Sequence, residues 1–481
     1  MTNARFVAAT VAALTPLPLA AQGFLCDYEP QAREVILNTD FTQIVPRNCI
    51  PVNVAGGVFT FRSVRIPVGV TVRGQGSKPM VWIVAGDFLV EGTLDLRGGD
   101  GARVDTLNSP NFPAPGGIGV CGGGRGGAGS PNTTQTSPTG ETGAGSGNAT
   151  ATGGQGGLAS CNATGSCARG SGGGGGSFGT IGDPSYKLLG SATSLVQQLG
   201  RGGLGCANRA LPGGAPGVPV FADPRADNDY FGIGIDVSRR AVVLGELPWP
   251  TWGAGGGGGG DDAQLCNGNP NWLNDAKGGG GGGGGGALVI FALGRVVVGP
   301  TGKIVCDGGH GGGGEQAGSN NKGGGGGGGS GGMVVIYTTQ HVEIHARGET
   351  YANNDFDFPI SADGGIGRQG AFQAIPIDAK YPPPARAAFD QYGAGGMGGL
   401  GVVQLMAPPG FNADNTNTVL DDNVHVVRGG VRLVGAEKQR YLAWRGFLDQ
   451  SGTWVDDAGI PTNIGDREGD IRPAPRLLPV W

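Results

Sequence analysis

The longest glycine run in the chain, residues 278–286, joins directly to the apolar segment ALVIFALG at 287–294. Glycine-rich segments usually behave as random coil, because glycine loses more backbone entropy on ordering than any other residue. An apolar segment rich in β-branched and aromatic residues is typical of a core strand. The junction therefore constrains the fold: either the run is a tether, or the rest of the chain gives it a fixed place.

The same junction recurs along the chain. A second run at 323–329 leads to the strand-like segment at Met333, and a weaker, interrupted one at 393–401 leads to another at Val402. Glycine supplies 104 of the 481 residues, against a usual share of about 7%. A flexible linker usually mixes in serine and charge, whereas run 278–286 is pure. The recurrence indicates that the runs belong to a repeat and do not link separate domains.

Each apolar strand opens a longer repeat of a strand, a short corner, a second alternating strand and, in three copies, a closing x-G-G-x-G pattern. The copies begin at Met80, Ala287, Met333 and Val402, and the closing patterns end at Gly101, Gly311 and Gly367. Period-2 alternation with Gly and Pro boundaries predicts strands here and at 242–244 and 424–434. The best helix candidate is 436–447 (AEKQRYLAWRGF).

Short strands without helical crossovers predict an all-β fold, a β-solenoid resembling a parallel β-helix with long polyglycine II-type insertions. The alternative is a β-sandwich with glycine-rich loops, because antiparallel strands give the same local pattern. The predicted organisation is a signal peptide at 1–21, a β-repeat domain at 22–423 and a C-terminal appendage at 424–481. The largest insertion covers about 100–230.

Polyglycine II helices packed side by side are the ordered form predicted for the runs. This type of helix has three residues per turn and rises about 3.1 Å per residue, without internal hydrogen bonds. Each N–H and C=O group therefore needs a partner on a neighbouring run. Because no side chain intervenes, the helices approach closely enough for N–H···O=C bonds, assisted by Cα–H···O contacts.

The N-terminus, MTNARFVAATVAALTPLPLAAQG, is typical of a secretory signal peptide with cleavage after Ala21. All eight cysteines follow it, and an even number in an exported chain indicates disulfides. The local pairs expected are Cys26 with Cys49 and Cys161 with Cys167, and the remaining candidates are Cys121, Cys206, Cys266 and Cys306. No later segment is long and apolar enough to span a membrane. We expect a bacterial protein that is secreted or held at the cell surface.

The runs of glycine between solenoid-like strands resemble those of glycine-rich exported proteins of environmental bacteria. They are also similar to the runs in polyglycine-sandwich adhesins of phage tail tips and in glycine-rich antifreeze proteins, although the regular tripeptide spacing of the antifreeze proteins is absent. The resemblance covers about 80–450 and implies a structural or surface-binding role. It transfers no functional residue to this chain.

Candidate catalytic residues are Asp95, Asp100, Asp307 and Asp363, which lie at or near the repeat ends and would converge if the copies stack in register. Polysaccharide lyases and hydrolases on β-helices need clustered carboxylates or calcium-binding aspartates. Aspartate beside Gly-Gly is also ordinary turn chemistry, and this interpretation is favoured. No cofactor is expected, with Ca²⁺ kept as a candidate at Asp261–Asp262 and at 421–423.

The light charge, 33 basic against 38 acidic residues with a net charge of −5, argues against nucleic acid, which needs a basic face. The leading hypothesis is an exported, non-catalytic structural or adhesive surface protein that self-associates or binds a cell-surface or polysaccharide partner. Pairing of strands at 402–408 and 424–434 between subunits would give a filament or layer. The alternatives are a polysaccharide-degrading enzyme on a β-helix and an ice- or surface-binding protein.

Overall fold

A computed structural model describes most of the chain between residues 25 and 406 and short strands beyond it. The described residues are 25–104, 113–130, 139–146, 152–158, 160–161, 168–179, 200, 202, 213–218, 233–236, 241–244, 247, 249–263, 276–315, 321–340, 342–345, 359–365, 367, 393–406, 418–420, 427–428, 430–434, 441–443, 447–448, 454–455 and 477–479. The predicted signal peptide lies outside them.

The described residues form strands and turns, with no α-helix among them. The first strands are β1 (Asp27–Tyr28), β2 (Glu34–Asn38), β3 (Phe41–Ile44), β4 (Val52–Ala55), β5 (Val58–Phe61), β6 (Ser63–Ile66), β7 (Thr71–Gln75), β8 (Met80–Val84), β9 (Phe88–Val90), β10 (Thr93–Asp95), β11 (Ser160–Cys161), β12 (Ala168–Arg169), β13 (Ile233–Asp236), β14 (Ala241–Leu244) and β15 (Asp262–Ala263). The later strands are β16 (Ala287–Ala292), β17 (Val296–Val298), β18 (Lys303–Val305), β19 (Asn321–Lys322), β20 (Met333–Thr338), β21 (Val342–Ile344), β22 (Ile360–Ser361), β23 (Val402–Met406), β24 (Thr418–Leu420), β25 (Val427–Arg428), β26 (Gly430–Val434), β27 (Tyr441–Ala443), β28 (Phe447–Leu448), β29 (Trp454–Val455) and β30 (Leu477–Pro479).

Three long sheets dominate the fold. Sheet 1 has the order β1-β6-β9-β17-β21-β24, sheet 2 the order β2-β7-β10-β18-β22-β25, and sheet 3 the order β5-β8-β16-β20-β23-β26-β27. Neighbouring strands in these sheets are parallel, except that β27 pairs with β26 in the antiparallel sense. The antiparallel β-sandwich alternative is therefore wrong for the described residues, and the all-β prediction is confirmed.

The chain visits the three sheets in a fixed rotation. Strands β8, β9 and β10 belong to sheets 3, 1 and 2 in turn, and the triplets β16–β18, β20–β22 and β23–β25 repeat that order. Within sheet 3, Leu288 lies opposite Met80, Met333 opposite Ala287 and Val402 opposite Met333. The four repeat copies therefore lie side by side, as the alignment of their sequences predicts.

Inward-facing side chains of the three sheets form one apolar core. It includes an aromatic cluster in which Trp82 contacts its neighbours at ring-centroid distances of 4.8 Å to Phe59, 5.4 Å to Tyr28, 5.6 Å to Phe88 and 6.0 Å to Phe61. Alternation puts every second residue of each strand into this core, as in β8, where Met80, Trp82 and Val84 are buried. The outer face of sheet 3 is buried too, because a second apolar cluster with Phe178 and Leu247 covers Val289 and Val335.

The N-terminal end of the sheets is closed by a cap. Strands β3 and β4 form an antiparallel hairpin whose buried residues Ile44 and Val54 join the core. The predicted disulfide between Cys26 and Cys49 is confirmed, with a Cα–Cα distance of 5.8 Å, and ties the cap to β1.

One expectation about the C-terminal part is wrong, and the pairing proposed between subunits is restricted to fewer strands. The helix predicted at 436–447 is wrong, because Tyr441–Ala443 is the strand β27, paired with Gly430–Val434. Of the strands proposed for pairing between subunits, β23 and β26 have both edges occupied within the chain, since β23 lies between β20 and β26, and β26 between β23 and β27. Strand β25 is the last strand of sheet 2 among the described residues. Strands β25 and β26 continue sheets 2 and 3 beyond residue 424.

Candidate functional site

The glycine runs lie together at one corner of the sheets. Three segments leave sheet 2 after β10, β18 and β22, and three others enter sheet 3 at β16, β20 and β23. We call the whole set the glycine bundle, and its described segments are 96–104, 113–130, 139–146, 152–158, 168–179, 213–218, 251–261, 276–286, 306–315, 323–332, 362–365 and 393–401. At this corner the chain therefore leaves the sheets, passes through the bundle and returns to the next strand.

Run 278–286 shows how the bundle is bonded. Its N–H groups fall into three sets, each of which donates to a different segment at 2.8–3.0 Å. The bonds are Gly279 to Gly324, Gly282 to Gly327 and Gly285 to Ser330; Gly280 to Ala102, Gly283 to Gly99 and Gly286 to Leu96; and Gly281 to Gly127 and Gly284 to Gly124. In every set both partners change in steps of three residues, with the acceptor numbers rising in the first set and falling in the other two. The N–H of Gly278 extends the third set to Ser130 at 3.3 Å. Three is the period of a polyproline II-type helix, whereas a strand would give two.

The same run accepts hydrogen bonds from three further directions. Its carbonyl groups accept from Gly259, Gly256 and Gly253, from Gly312 and Gly309, and from Gly117. Six stretches of chain therefore surround run 278–286, two of them within segment 113–130, and all nine of its glycines are buried. The segment is bonded on every side, which is the opposite of a free tether.

Close approach, rather than unusual backbone angles, requires glycine in this run. None of residues 278–286 has a φ in the left-handed region. A Cβ on Gly282 would lie 2.0 Å from the carbonyl oxygen of Gly309, and one on Gly284 would lie 2.1 Å from that of Gly253. Backbone atoms on both sides leave no room for any side chain.

Exposed side chains recur every third residue along two segments of the bundle. Arg97, Asp100 and Arg103 are exposed on one segment, and Thr152 and Gln155 on another. At about 3.1 Å per residue, side chains three residues apart lie roughly 9 Å apart along the segment. Along these two segments the exposed side chains therefore form a sparse, regular array of polar groups.

The four candidate catalytic aspartates make structural contacts. Asp307 is buried, and its Oδ1 accepts from the backbone N–H of Asp363 at 2.8 Å and from the hydroxyl of Ser361. The Oδ1 of Asp363, also buried, accepts from the N–H of the adjacent Gly364 at 2.8 Å. These two residues lie in adjacent copies and come together, but they fasten one copy to the next.

Asp95 and Asp100 are held in similar ways. Buried Asp95 accepts from the backbone N–H of Arg97 at 3.0 Å, and its Oδ2 lies 3.5 Å from Nη1 of Arg73. Exposed Asp100 accepts from the N–H of His310 at 2.8 Å. All four carboxylates thus take backbone N–H groups, the role expected of aspartate in turns.

The described residues include no group of three or more His, Cys, Asp or Glu side chains placed to hold a metal ion. Of the Ca²⁺ candidates, Asp261 is buried and Asp262 begins β15, whereas 421–423 lie outside the described part. A helix capable of crossing a membrane does not occur in that part either.

Two cysteines differ from the prediction that they are disulfide candidates. Cys121 and Cys306 are free thiols in the core, and burial raises the pKa of both. A buried thiol of raised pKa is unreactive, because the thiolate is the reactive form. Cys121 fills space left by Gly74, where a Cβ would lie 2.4 Å from its Sγ. Cys167, Cys206, Cys266 and the side chain of Cys161 lie outside the described residues.

Sequence reasoning missed a buried charged pair at the far end of the bundle. Lys277 and Glu315 are both buried. The N–H of Lys277 donates to Oε2 of Glu315 at 3.1 Å, and the N–H of Glu315 donates to the carbonyl of Lys277 at 2.9 Å. Burial raises the pKa of Glu315, although the bond from Lys277 and its charge oppose the shift. The one feature of the sequence that could have indicated this pair is that each of the two residues stands next to a glycine run.

Comparison of the chain with protein-family models, curated proteins and solved structures found no match. Its function must therefore be argued from the geometry described above.

Proposed function

We propose that this chain is an exported, non-catalytic structural or adhesive protein of the bacterial surface. The observation that carries the proposal is the bonding of run 278–286 to six surrounding stretches of chain with a three-residue period. Such a bundle is a hydrogen-bonded block that exposes polar side chains along segments 96–104 and 152–158, and the proposed role needs no catalytic pocket. It resembles, in this respect, the glycine-rich exported proteins and adhesins to which the sequence is similar.

The fold proposed for the frame is a β-solenoid. Support comes from the rotation of successive strands through three parallel sheets. For the bundle we propose polyglycine II helices, supported by the three-residue period and by glycine N–H and C=O groups that find partners on other segments. The sheets fix one end of each of six bundle segments, which lowers the entropy lost when the glycines become ordered.

Export is supported by the apolar N-terminal segment and by the Cys26–Cys49 disulfide. Disulfides persist in oxidising compartments, including the cell surface and the bacterial periplasm. The partner we propose is a cell-surface structure or polysaccharide that contacts the outer side chains of the bundle.

The experiment compares binding with turnover. Beads coated with the purified protein are tested for attachment to bacterial cells and insoluble polysaccharides, and the same polysaccharides are assayed for released sugars. We expect attachment without product release, and unchanged attachment for Asp307→Asn. Release of sugar fragments that Asp307→Asn abolishes would overturn the proposal in favour of the enzyme. Failure of the coated beads to attach to any cell or polysaccharide would count against adhesion.

A further inference from the structure

The N-terminal cap carries an unusual amount of exposed apolar surface. Ten large apolar side chains are exposed among the described residues, and half of them lie between residues 25 and 50. Leu25, Phe41, Val45 and Ile50 are each 60–74% exposed. Terminal caps of repeat proteins normally present a polar outer face, which keeps them soluble. Clustered apolar exposure of this kind marks an interaction surface.

The β3–β4 hairpin organises this surface. Alternation turns Ile44 and Val54 into the core and leaves the opposite residues in solvent. The exposed residues on the outward-facing alternation of the two strands, extended by one position at Val45 and Pro51, are Phe41, Gln43, Val45, Pro51, Asn53 and Ala55. We call them the cap face. Leu25 and Ile50 adjoin it next to the two cysteines of the disulfide.

The cap face contains no ionisable side chain. Its polar groups are Gln43 and Asn53, which bond to each other across the hairpin at 3.2 Å. The charges at its border are paired within the chain, since Arg47 bonds to Glu29 and the carboxylate of Asp40 accepts from the N–H and hydroxyl of Ser77. A charged partner or an anionic headgroup would therefore find no complement here.

We propose that the cap face is a homodimer interface, in which the hairpins of two copies pack head to head about a two-fold axis. An uncharged apolar surface is complementary to itself, as an isologous interface requires. Strand pairing offers no equivalent route at β23 and β26, because both edges of these strands are used within the chain. The dimer presents two glycine bundles to a surface, which raises avidity without new contacts. The inference does not rest on the adhesive function.

The test measures the mass of the purified protein in solution by sedimentation over a range of concentrations. We expect a dimer, and Val45→Glu should raise its dissociation constant by more than about 100-fold, since like charges would meet across the axis. A matched control, Leu293→Glu, adds the same charge at an exposed apolar residue away from the cap and should leave the dimer intact. Ala55→Glu tests the neighbouring strand if Val45→Glu does not fold.

A mixing experiment tests the two-fold contact directly. Val45→Glu and Val45→Lys are each expected to be monomeric alone and to form a mixed dimer when combined. A wild-type protein that is monomeric at every concentration overturns the proposal, as does a dimer that both cap variants leave unchanged. Binding of the monomer to phosphatidylcholine vesicles, lost in Val45→Glu, would overturn it and assign the face to lipid.

Discussion

The molecule contains two interiors built on opposite principles. Inside the sheets, side chains fill the space, and Trp82 lies among four other aromatic rings. In the glycine bundle, run 278–286 has no side chains at all and is held by hydrogen bonds on six sides. The first interior removes apolar area from water, whereas the second satisfies buried polar groups of the backbone.

The two interiors are expected to respond to mutation in opposite ways. A side-chain core is damaged when atoms are removed, because a cavity remains. The bundle is damaged when atoms are added, because its carbonyl groups already lie where a Cβ would be placed. The sheets also supply the fixed ends that the bundle needs, so the second interior depends on the first.

The largest effect is expected at Trp82. Its side chain is completely buried, and Trp82→Ala should lower the free energy of unfolding by about 3–5 kcal/mol, as large aromatic truncations do. The measurement is denaturant unfolding followed by circular dichroism.

The control is Trp82→Phe, which keeps most of the ring. It also removes a buried indole N–H that has no hydrogen-bond partner, so the loss should be about 1 kcal/mol. Equal destabilisation by both variants would mean that the core does not depend on ring packing at this position.

The second-largest effect is expected at Gly282, where the mutation adds atoms instead of removing them. The single added methyl of Gly282→Ala would lie 2.0 Å from the carbonyl oxygen of Gly309, and the expected loss is about 3 kcal/mol, near the upper end for overpacking. Amide exchange should accelerate at the bonded glycines of run 278–286, which we expect to be protected in the wild-type protein.

The matched control for Gly282 is Gly299→Ala in the next turn after β17. The nearest atom to a Cβ there is the side-chain Cγ of Glu91 at 3.3 Å, so the change should be neutral or stabilising by up to about 1 kcal/mol. If the glycine amides of run 278–286 exchange without protection in the wild-type protein, the run is a flexible tether.

The sheets could be read from the sequence because each strand carries its own signal. Alternation in β8 and the apolar run of β16 mark strands locally, and their similarity marks the repeat. The helix predicted at 436–447 failed because its composition suited a helix, whereas Tyr441–Ala443 pairs with β26. Distant pairing overrode local propensity there.

The bundle could be suspected but not assembled from the sequence. Glycine carries no pattern that selects a neighbour, so nothing in run 278–286 indicates that Gly282 bonds to Gly327. Asp307 and Asp100 accept backbone N–H groups, which is the contact that an aspartate beside Gly-Gly is expected to make. The buried pair of Lys277 and Glu315 lacked any signal beyond its place beside the runs.

The smallest effect is a pH dependence that belongs to the bundle alone. The pKa of Glu315 is raised in the folded protein above the ordinary value of 4.5, mainly by burial. The folded state therefore binds the proton more tightly than the unfolded state. Stability from this group should be greatest below pH 4.5 and fall as the pH rises from 4.5 through the folded pKa.

Glu315→Gln removes this titration and leaves an amide oxygen that can accept from the N–H of Lys277. As the pH rises from below 4.5 to above the folded pKa, the free energy of unfolding should fall further in the wild type than in the variant. The extra fall should be below about 1 kcal/mol. Unfolding curves across this pH range measure the difference, and Glu34→Gln, at an exposed carboxylate, gives the background. Glu315 belongs to the bundle, so the difference between the two pH profiles reports on the bundle and not on the sheets. Identical profiles for wild type and Glu315→Gln would mean that the titration of Glu315 does not affect the stability of the protein.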